Sequence, residues 1–279
     1  MRGRNFSQVD VFTAVPYKGN PVAVVLDGEG LSDAEMQAFA NWTNLSETTF
    51  VLPPSDPAAD YRMRIFTPKA ELPFAGHPTL GTAHAVIEAG KAAPKDGKLI
   101  QQCAVGLVEL NVQADRLSFR LPRYALTDAP DQHEATAWIG GAEVKGAAKA
   151  VDVGPVWLIA ELAEIAALEN LQHDPARLTA YYEQYGLTGA TLFATDGERV
   201  VVRSFAPGDG IPEDPVCGSG NAAVAAYRLV QGQITDGTTY RASQGRQLGR
   251  DGWIDIRIEG ADVHVGGACV TCVRGSVQL

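Results

Sequence analysis

The sequence predicts an α/β (α+β) fold of two pseudo-symmetric halves, and three observations lead there. The chain has 279 residues, enough for one large domain or two of about 130 residues each. A pattern in the first half returns in the second, where Arg64-Ile-Phe66-Thr-Pro68 has a counterpart in Arg203-Ser-Phe205-Ala-Pro207. Each copy is followed by a polar loop and a helix of small residues, Pro78 to Gly90 and Ser219 to Gly232, with β-rich runs on both sides. Chance readily yields one shared tripeptide, and less readily the same order of strand, loop and helix.

The elements follow in order. Gln8 to Thr13 and Val22 to Leu26 carry the Val and Phe enrichment of strands, joined by the turn-forming Lys18-Gly19-Asn20-Pro21, so a hairpin-like start is expected. Ser32-Asp33-Ala34-Glu35 fits a capping box, which opens a helix to about Thr43 and leaves Glu47 just past its end. Thr48 to Leu52 and Tyr61 to Phe66 read as strands, and Thr67 to Phe74 as a polar, proline-bounded loop. The Pro78 to Gly90 helix is small and apolar on nearly every face, as a helix packed on all sides must be, which places it inside a β layer. Strands are expected at Leu99 to Gln102, Val105 to Val112 and Leu117 to Leu121, before a looser stretch from Ala125 to Lys149 that takes the domain boundary. The domains are read as 1–125, with the C-terminal strand as a candidate to complete it, and 126–279. In the second half Val151 to Leu162, Thr191 to Ala194 and Arg199 to Phe205 are strand-like, and Asp174 caps a helix to Tyr185 with Pro175 in its first turn.

Composition narrows the function. A hydrophobic fraction of 46% with 20% charged residues is that of an ordinary folded domain, and 29 glycines point to many tight turns. The net charge of -10, with no run of Lys and Arg, argues against nucleic acid as a partner. It leaves an anionic substrate open, because NH groups at a helix start bind a carboxylate locally. Met1 to Asp10 has no apolar core, and no run approaches the ~18 apolar residues of a membrane span, so a cytoplasmic protein with no membrane partner is expected. Four scattered cysteines are expected to be reduced thiols. Cys269 and Cys272 fall in a strand-like run, where positions three apart face opposite sides, and no second ligand pair accompanies them. No metal role is assigned to them.

The start of each small-residue helix is a candidate binding site. Ala75-Gly76-His77-Pro78-Thr79 is matched to Val216-Cys217-Gly218-Ser219-Gly220, and two helix N-termini become available to face one cleft. Their free NH groups and dipoles favour a carboxylate by roughly 0.3 to 2 kcal/mol each. Gly76, Gly218 and Gly220 either let a ligand approach the backbone or permit tight turns and close packing. Glu47, in Asn44-Leu-Ser-Glu-Thr-Thr-Phe-Val51, has two readings as well. It is a solvated loop carboxylate, or it is drawn inward by the apolar strand and raised in pKa, as a general acid and base requires.

The runs Gly19-Asn20-Pro21-Val-Ala-Val24, Asn44-Leu-Ser-Glu47, Phe66-Thr-Pro-Lys-Ala-Glu-Leu-Pro-Phe-Ala-Gly-His-Pro78 and Glu213-Asp-Pro-Val-Cys-Gly-Ser219 together resemble the PhzF-like (phenazine biosynthesis) family, in the family's order and over essentially the whole chain. The resemblance implies a diaminopimelate-epimerase-like fold. Each of two similar domains is a curved, mostly antiparallel sheet wrapped around a central helix, with the active site between them. It also implies an isomerase without a cofactor, acting on a small carboxylate and usually a homodimer, with trans-2,3-dihydro-3-hydroxyanthranilate isomerase as the reference reaction.

Glu47 matches the family's proton-transferring Glu, and His77 a polar residue that orients the ligand. Asp214 and Ser219 match its acidic and hydroxyl ligand contacts, with Gly76 and Gly218 giving backbone approach. His77 and Ser219 could equally cap their helices, and Asp214 could satisfy loop NH groups. Cys217 departs from the phenazine enzymes, which commonly carry Thr there, and resembles the second cysteine motif of diaminopimelate epimerase and proline racemase. A thiol at a helix start would be lowered in pKa and could act as a base, although Ala75 and Gly76 offer no opposing cysteine. It reads either as that base, paired with Glu47 in an amino-acid racemase or epimerase, or as a small buried residue. A noncatalytic ligand-binding or interaction protein on the same fold is the further alternative. His84, His133, His173 and His264 carry no motif and read as structural or solvated.

Overall fold

The apolar runs of the sequence become strands with one or both faces covered, or helices closed in on nearly every side, and they sort into two compact units. The structure, a computed structural model, describes residues 2–279, with Asp209 described by its backbone alone. Unit 1 comprises Met1–Phe119 and Gly266–Leu279, and unit 2 comprises Arg120–Val265.

Unit 1 runs through β1 (Gly3–Val11), β2 (Asn20–Val25), α1 (Asp33–Thr43), β3 (Thr48–Leu52), β4 (Tyr61–Phe66), the short β5 (Glu71–Leu72), α2 (Gly76–Glu88), β6 (Lys98–Cys103), β7 (Gly106–Gln113) and β8 (Arg116–Arg120). Unit 2 continues with β9 (Ala125–Asp128), α3 (Gln132–Ala137), β10 (Val144–Asp152), β11 (Val156–Leu162), α4 (Ile165–Glu169), α5 (Pro175–Tyr185), β12 (Gly189–Asp196), β13 (Arg199–Ala206), β14 (Ile211–Asp214), α6 (Gly218–Val230), β15 (Thr239–Gln244) and β16 (Gly252–Glu259). The last strand, β17 (Asp262–Gln278), begins in unit 2 and contributes its longer part to unit 1.

Within unit 1, β17 pairs with β1, β1 with β2, β3 with β4, β6 with β7 and β7 with β8, all antiparallel. Two parallel pairings, β2 with β3 and β4 with β6, join these into one sheet, and β8 returns to β17. The helix α2 packs against β1, β2 and β3. Ten of its thirteen residues are buried, which only small side chains allow at this spacing. A Cβ on Gly81 would lie 2.4 Å from Val22 Cγ1. The other face of β2, β3 and β4 is covered by α1, whose Met36, Phe39 and Ala40 meet Val25, Phe50 and Phe66. The capping box that starts α1 forms, with Ser32 Oγ accepting from Glu35 N at 3.3 Å and Glu35 Oε2 accepting from Ser32 N at 2.8 Å.

Unit 2 repeats this pairing order. Antiparallel pairs β9–β10, β10–β11, β12–β13 and β15–β16 are joined by parallel pairs β11–β12 and β13–β15. Here α6 takes the place of α2, with the same thirteen residues of length. A second core, built on Trp138, Leu178, Leu192 and Phe205, lies under α3, α4 and α5. This is the predicted α+β architecture of helix-centred, mostly antiparallel sheets.

The repeated Arg-x-Phe pattern has a physical basis. Arg64 stacks on Phe66 at 5.0 Å and Arg203 on Phe205 at 5.1 Å. Each guanidinium grips a carboxylate with two bonds, Arg64 to Glu71 at 2.7 and 2.6 Å and Arg203 to Glu213 at 2.9 and 2.7 Å. The motif thereby ties the short strand before each central helix, β5 or β14, back onto β4 or β13.

Several expectations are corrected. Helix starts align Gly76 with Gly218, so Ala75 corresponds to Cys217, one residue from the match drawn on sequence. Val151 to Leu162 is two strands, because Asp152 Oδ1 accepts from Gly154 N and Gly154, at φ +105, turns the chain. The stretch Ala125 to Lys149 holds β9, α3 and most of β10. Its mixed composition gives no period, and Gln132, bonded to Ala129 O and to both Ala148 N and O, organises it instead. The polar loop from Thr67 to Phe74 contains β5. Among the described residues no helix is long and apolar enough to cross a membrane.

The two arginine clamps should differ in strength, since Arg203 and Glu213 are 6% and 9% exposed and Arg64 and Glu71 are 18% and 39% exposed. Arg203→Met strands a buried carboxylate and is expected to cost about 3 to 5 kcal/mol. Arg64→Met leaves Glu71 in contact with water and should cost about 1 kcal/mol or less. Urea midpoints of the two variants measure the difference.

Candidate functional site

Glu47 is placed by the end of α1. Asn44 adopts the left-handed conformation (φ 54) at the helix C-cap, which turns the chain through Leu45 and Ser46 into β3. The Glu47 carbonyl then accepts from Ala23 N at 3.4 Å beside the β2–β3 ladder, and Thr48 and Thr43 share a hydroxyl contact of 2.9 Å. Pinned so, the Glu47 side chain is 16% exposed and stands 3.4 Å, Oε2 to Nδ1, from His77, itself 6% exposed. The solvated-loop reading of Glu47 is thereby set aside. Oε2 is buried and accepts no hydrogen bond. Burial raises the Glu47 carboxyl to about 7, against a smaller lowering by the Ser46 hydroxyl.

His77 is the second residue of α2. No side chain caps that helix, because Ala75 occupies the N-cap. Gly76 is required by packing, since a Cβ there would lie 2.9 Å from Phe119 Cζ. Unit 1 therefore brings Glu47, His77 and Gly76 to one place: a carboxyl held near neutrality, an imidazole against it and an uncapped helix start.

The second cluster, in unit 2, surrounds the start of α6. Asp214 ends β14, and its Oδ1 accepts from Val216 N at 3.0 Å. Cys217 is the N-cap, its Sγ accepting from Gly220 N at 3.2 Å. Ser219 is inside the helix and does not cap it; its Oγ accepts from Trp157 Nε1 at 3.1 Å and lies 3.5 Å from Cys217 Sγ. Gly220 cannot carry a side chain here, since a Cβ would lie 2.6 Å from Thr191 Oγ1 and 2.7 Å from Ser204 Oγ. Asp214, Cys217, Gly218 and Ser219 are thus assembled at one helix start.

The expected lowering of the Cys217 thiol is overturned. The residue is 4% exposed, and burial together with the Asp214 carboxylate pushes the thiol well above its usual range. Desolvation outweighs the favourable helix terminus. Cys217 is a small, buried N-cap. Among the described residues no three His, Cys, Asp or Glu side chains converge as a metal site.

Sequence reading missed Gln244, Asn221 and Trp157, which bond directly to this cluster. Gln244 and Trp157 sit on strands far away in sequence, and nothing local marks them. Asn221, four residues after Cys217, was within reach of a helix-spacing argument.

Comparison with known proteins agrees with this reading of the fold. The family described as phenazine biosynthesis-like protein, PhzC-PhzF, matches residues 9–275. A Schizosaccharomyces pombe protein named antisense-enhancing sequence 1 is 37% identical over 99% of this chain and 99% of its own. The trans-2,3-dihydro-3-hydroxyanthranilate isomerase of Pseudomonas chlororaphis is 34% identical over 97% of this chain and 98% of its own. Among solved structures, a PhzF-family phenazine biosynthesis protein of Bacillus anthracis superposes with a TM-score of 0.87 at 24% identity, covering 100% of both chains. With the family matched across nearly its whole length, the chain belongs to the phenazine biosynthesis-like (PhzC-PhzF) family, a family of isomerases.

Proposed function

We propose that the protein is a cofactor-independent isomerase of a small carboxylate, in which Glu47 takes a proton from one carbon and returns it to another. The observation that carries this reading is the Glu47 carboxyl, raised by burial to about 7 with Oε2 buried beside His77. Near neutral pH such a group is populated both as base and as acid, as a proton shuttle requires. His77 orients the carboxyl or the ligand, and Gly76, Asp214, Gly218 and Ser219 contact the ligand. The dihydrohydroxyanthranilate isomerase among the relatives makes that compound the first substrate to try. The reading includes a homodimer, as the family resemblance implies.

NMR in deuterated buffer with dihydrohydroxyanthranilate tests the assignment. Wild type should form the isomer with solvent deuterium at the reprotonated carbon, and Glu47→Gln should lose about 10² to 10⁴-fold or more in rate. Full activity of Glu47→Gln would remove it from the mechanism, and no turnover by wild type would reject this substrate. As the base must be ionised, kcat/KM should rise with pH through about 7.

The same carboxyl should weaken the fold. It ionises near the ordinary glutamate value of 4.5 when unfolded and at about 7 when folded. Between those values the unfolded state releases the proton first, so stability falls as pH rises across that window. Glu47→Gln removes the penalty and should be more stable than wild type at pH 8, by up to about 3 kcal/mol, with little difference at pH 4. Denaturant titrations at the two pH values measure it.

Cys217→Ser distinguishes this reading from a thiol-based racemase. Serine can still accept from Gly220 N, and the buried, raised thiol supplies no base. Activity within a few-fold of wild type is expected, and its abolition would favour the thiol mechanism.

A further inference from the structure

The chain between Asp214 and α6 is held by a side chain from elsewhere. Strand pairing of β14 ends at Asp214, opposite Ser204, and Pro215 has no NH to offer. Gln244, the last residue of β15 and 2% exposed, spans the gap. Its Nε2 donates to Asp214 O at 2.9 Å. Its Oε1 accepts from Cys217 N at 3.1 Å and from Asn221 Nδ2 at 2.8 Å. The amide orientation is fixed by these partners, since a backbone NH only donates and a carbonyl only accepts. Asn221 Nδ2 also donates to Cys217 O at 2.9 Å, so the two amides hold both ends of the loop and the N-cap together.

The turn that follows Gln244 is shaped to the same loop. Gly245, at φ +99, comes so close that a Cβ would lie 2.3 Å from Pro215 O. A Cβ on Gly252, where β16 begins, would lie 2.3 Å from Val216 Cγ2. A side-chain amide and two bare backbone positions therefore form one seat for 214–217.

We propose that Gln244 is a positioning residue for ligand binding, which acts through the Asp214 loop and the start of α6 without itself touching the ligand. The role rests on the reading of Asp214, Gly218 and Ser219 as ligand contacts. A merely structural glutamine would change how much protein is folded, and therefore apparent kcat, at unchanged KM. A positioning glutamine changes where the contacts stand, and therefore KM.

The test is steady-state kinetics of the full chain on dihydrohydroxyanthranilate, with folded fraction checked by circular dichroism. Gln244→Met leaves the Asp214 carbonyl, the Cys217 NH and the Asn221 amide without this partner, and should raise KM about tenfold or more while kcat stays within about threefold. Gln244→Glu keeps the shape and the acceptor and loses the donor, so KM should rise less; it also serves if Gln244→Met yields too little folded protein. Unchanged KM in both variants, or in Gln244→Glu where it alone folds, overturns the positioning role. Asp214→Asn separates the two ideas. Unchanged KM there overturns the ligand-contact reading beneath it, whereas a raised KM in Asp214→Asn beside unchanged Gln244 variants overturns the role of Gln244 alone.

Discussion

A helix enclosed on nearly all sides constrains most of what this chain does. Little of α2 or α6 faces water, so their residues must be small, and the strands can approach until glycine is required, as at Gly81 and Gly220. Enclosing such a helix takes a curved sheet, and the mixed parallel and antiparallel pairings that supply it are the same in both units. A helix surrounded along its length can meet a ligand only at an end. The α2 and α6 starts are also the ends where backbone NH groups and the positive pole of the dipole are found.

The charged residues follow from the same enclosure. Glu47 reaches a buried position because an αL residue ends α1 and a parallel ladder catches the next carbonyl. Burial then raises its pKa, since the ionised form loses water and the Ser46 hydroxyl offsets only part of that loss. In Cys217 the same desolvation acts on a thiol and moves it away from use at neutral pH. One physical effect thus favours the carboxyl as a proton carrier and disfavours the thiol. Withdrawing the Glu47 carboxyl from water in this way costs fold stability once the group must ionise.

The duplicated Arg-x-Phe motif shows how each half secures the approach to its helix. In both, a guanidinium stacked on an aromatic ring grips a glutamate on the short preceding strand. The halves then diverge. Unit 2 adds the Gln244 and Asn221 amides and a cysteine cap, where unit 1 leaves Ala75 without a capping side chain. The unit 2 loop is thereby fixed by groups that carry no charge.

The sequence by itself determined the elements whose signals are local. The Ser32 capping box, the Asp174 cap followed by Pro175, the strand Tyr61–Phe66 and the two small-residue helices could be read from neighbouring residues, because caps, alternation and helical faces act over a few positions. Glu47, His77 and Asp214 could be named as candidates through motif resemblance, although their surroundings could not. Tertiary structure alone decided whether Glu47 was solvated or buried, which way the Cys217 thiol shifted, and that Ser219 bonds Trp157 rather than capping α6. It also supplied Gln244, 27 residues beyond Cys217. Desolvation and hydrogen bonding depend on what the fold brings to a residue from distant strands, and a short stretch of sequence does not carry that information.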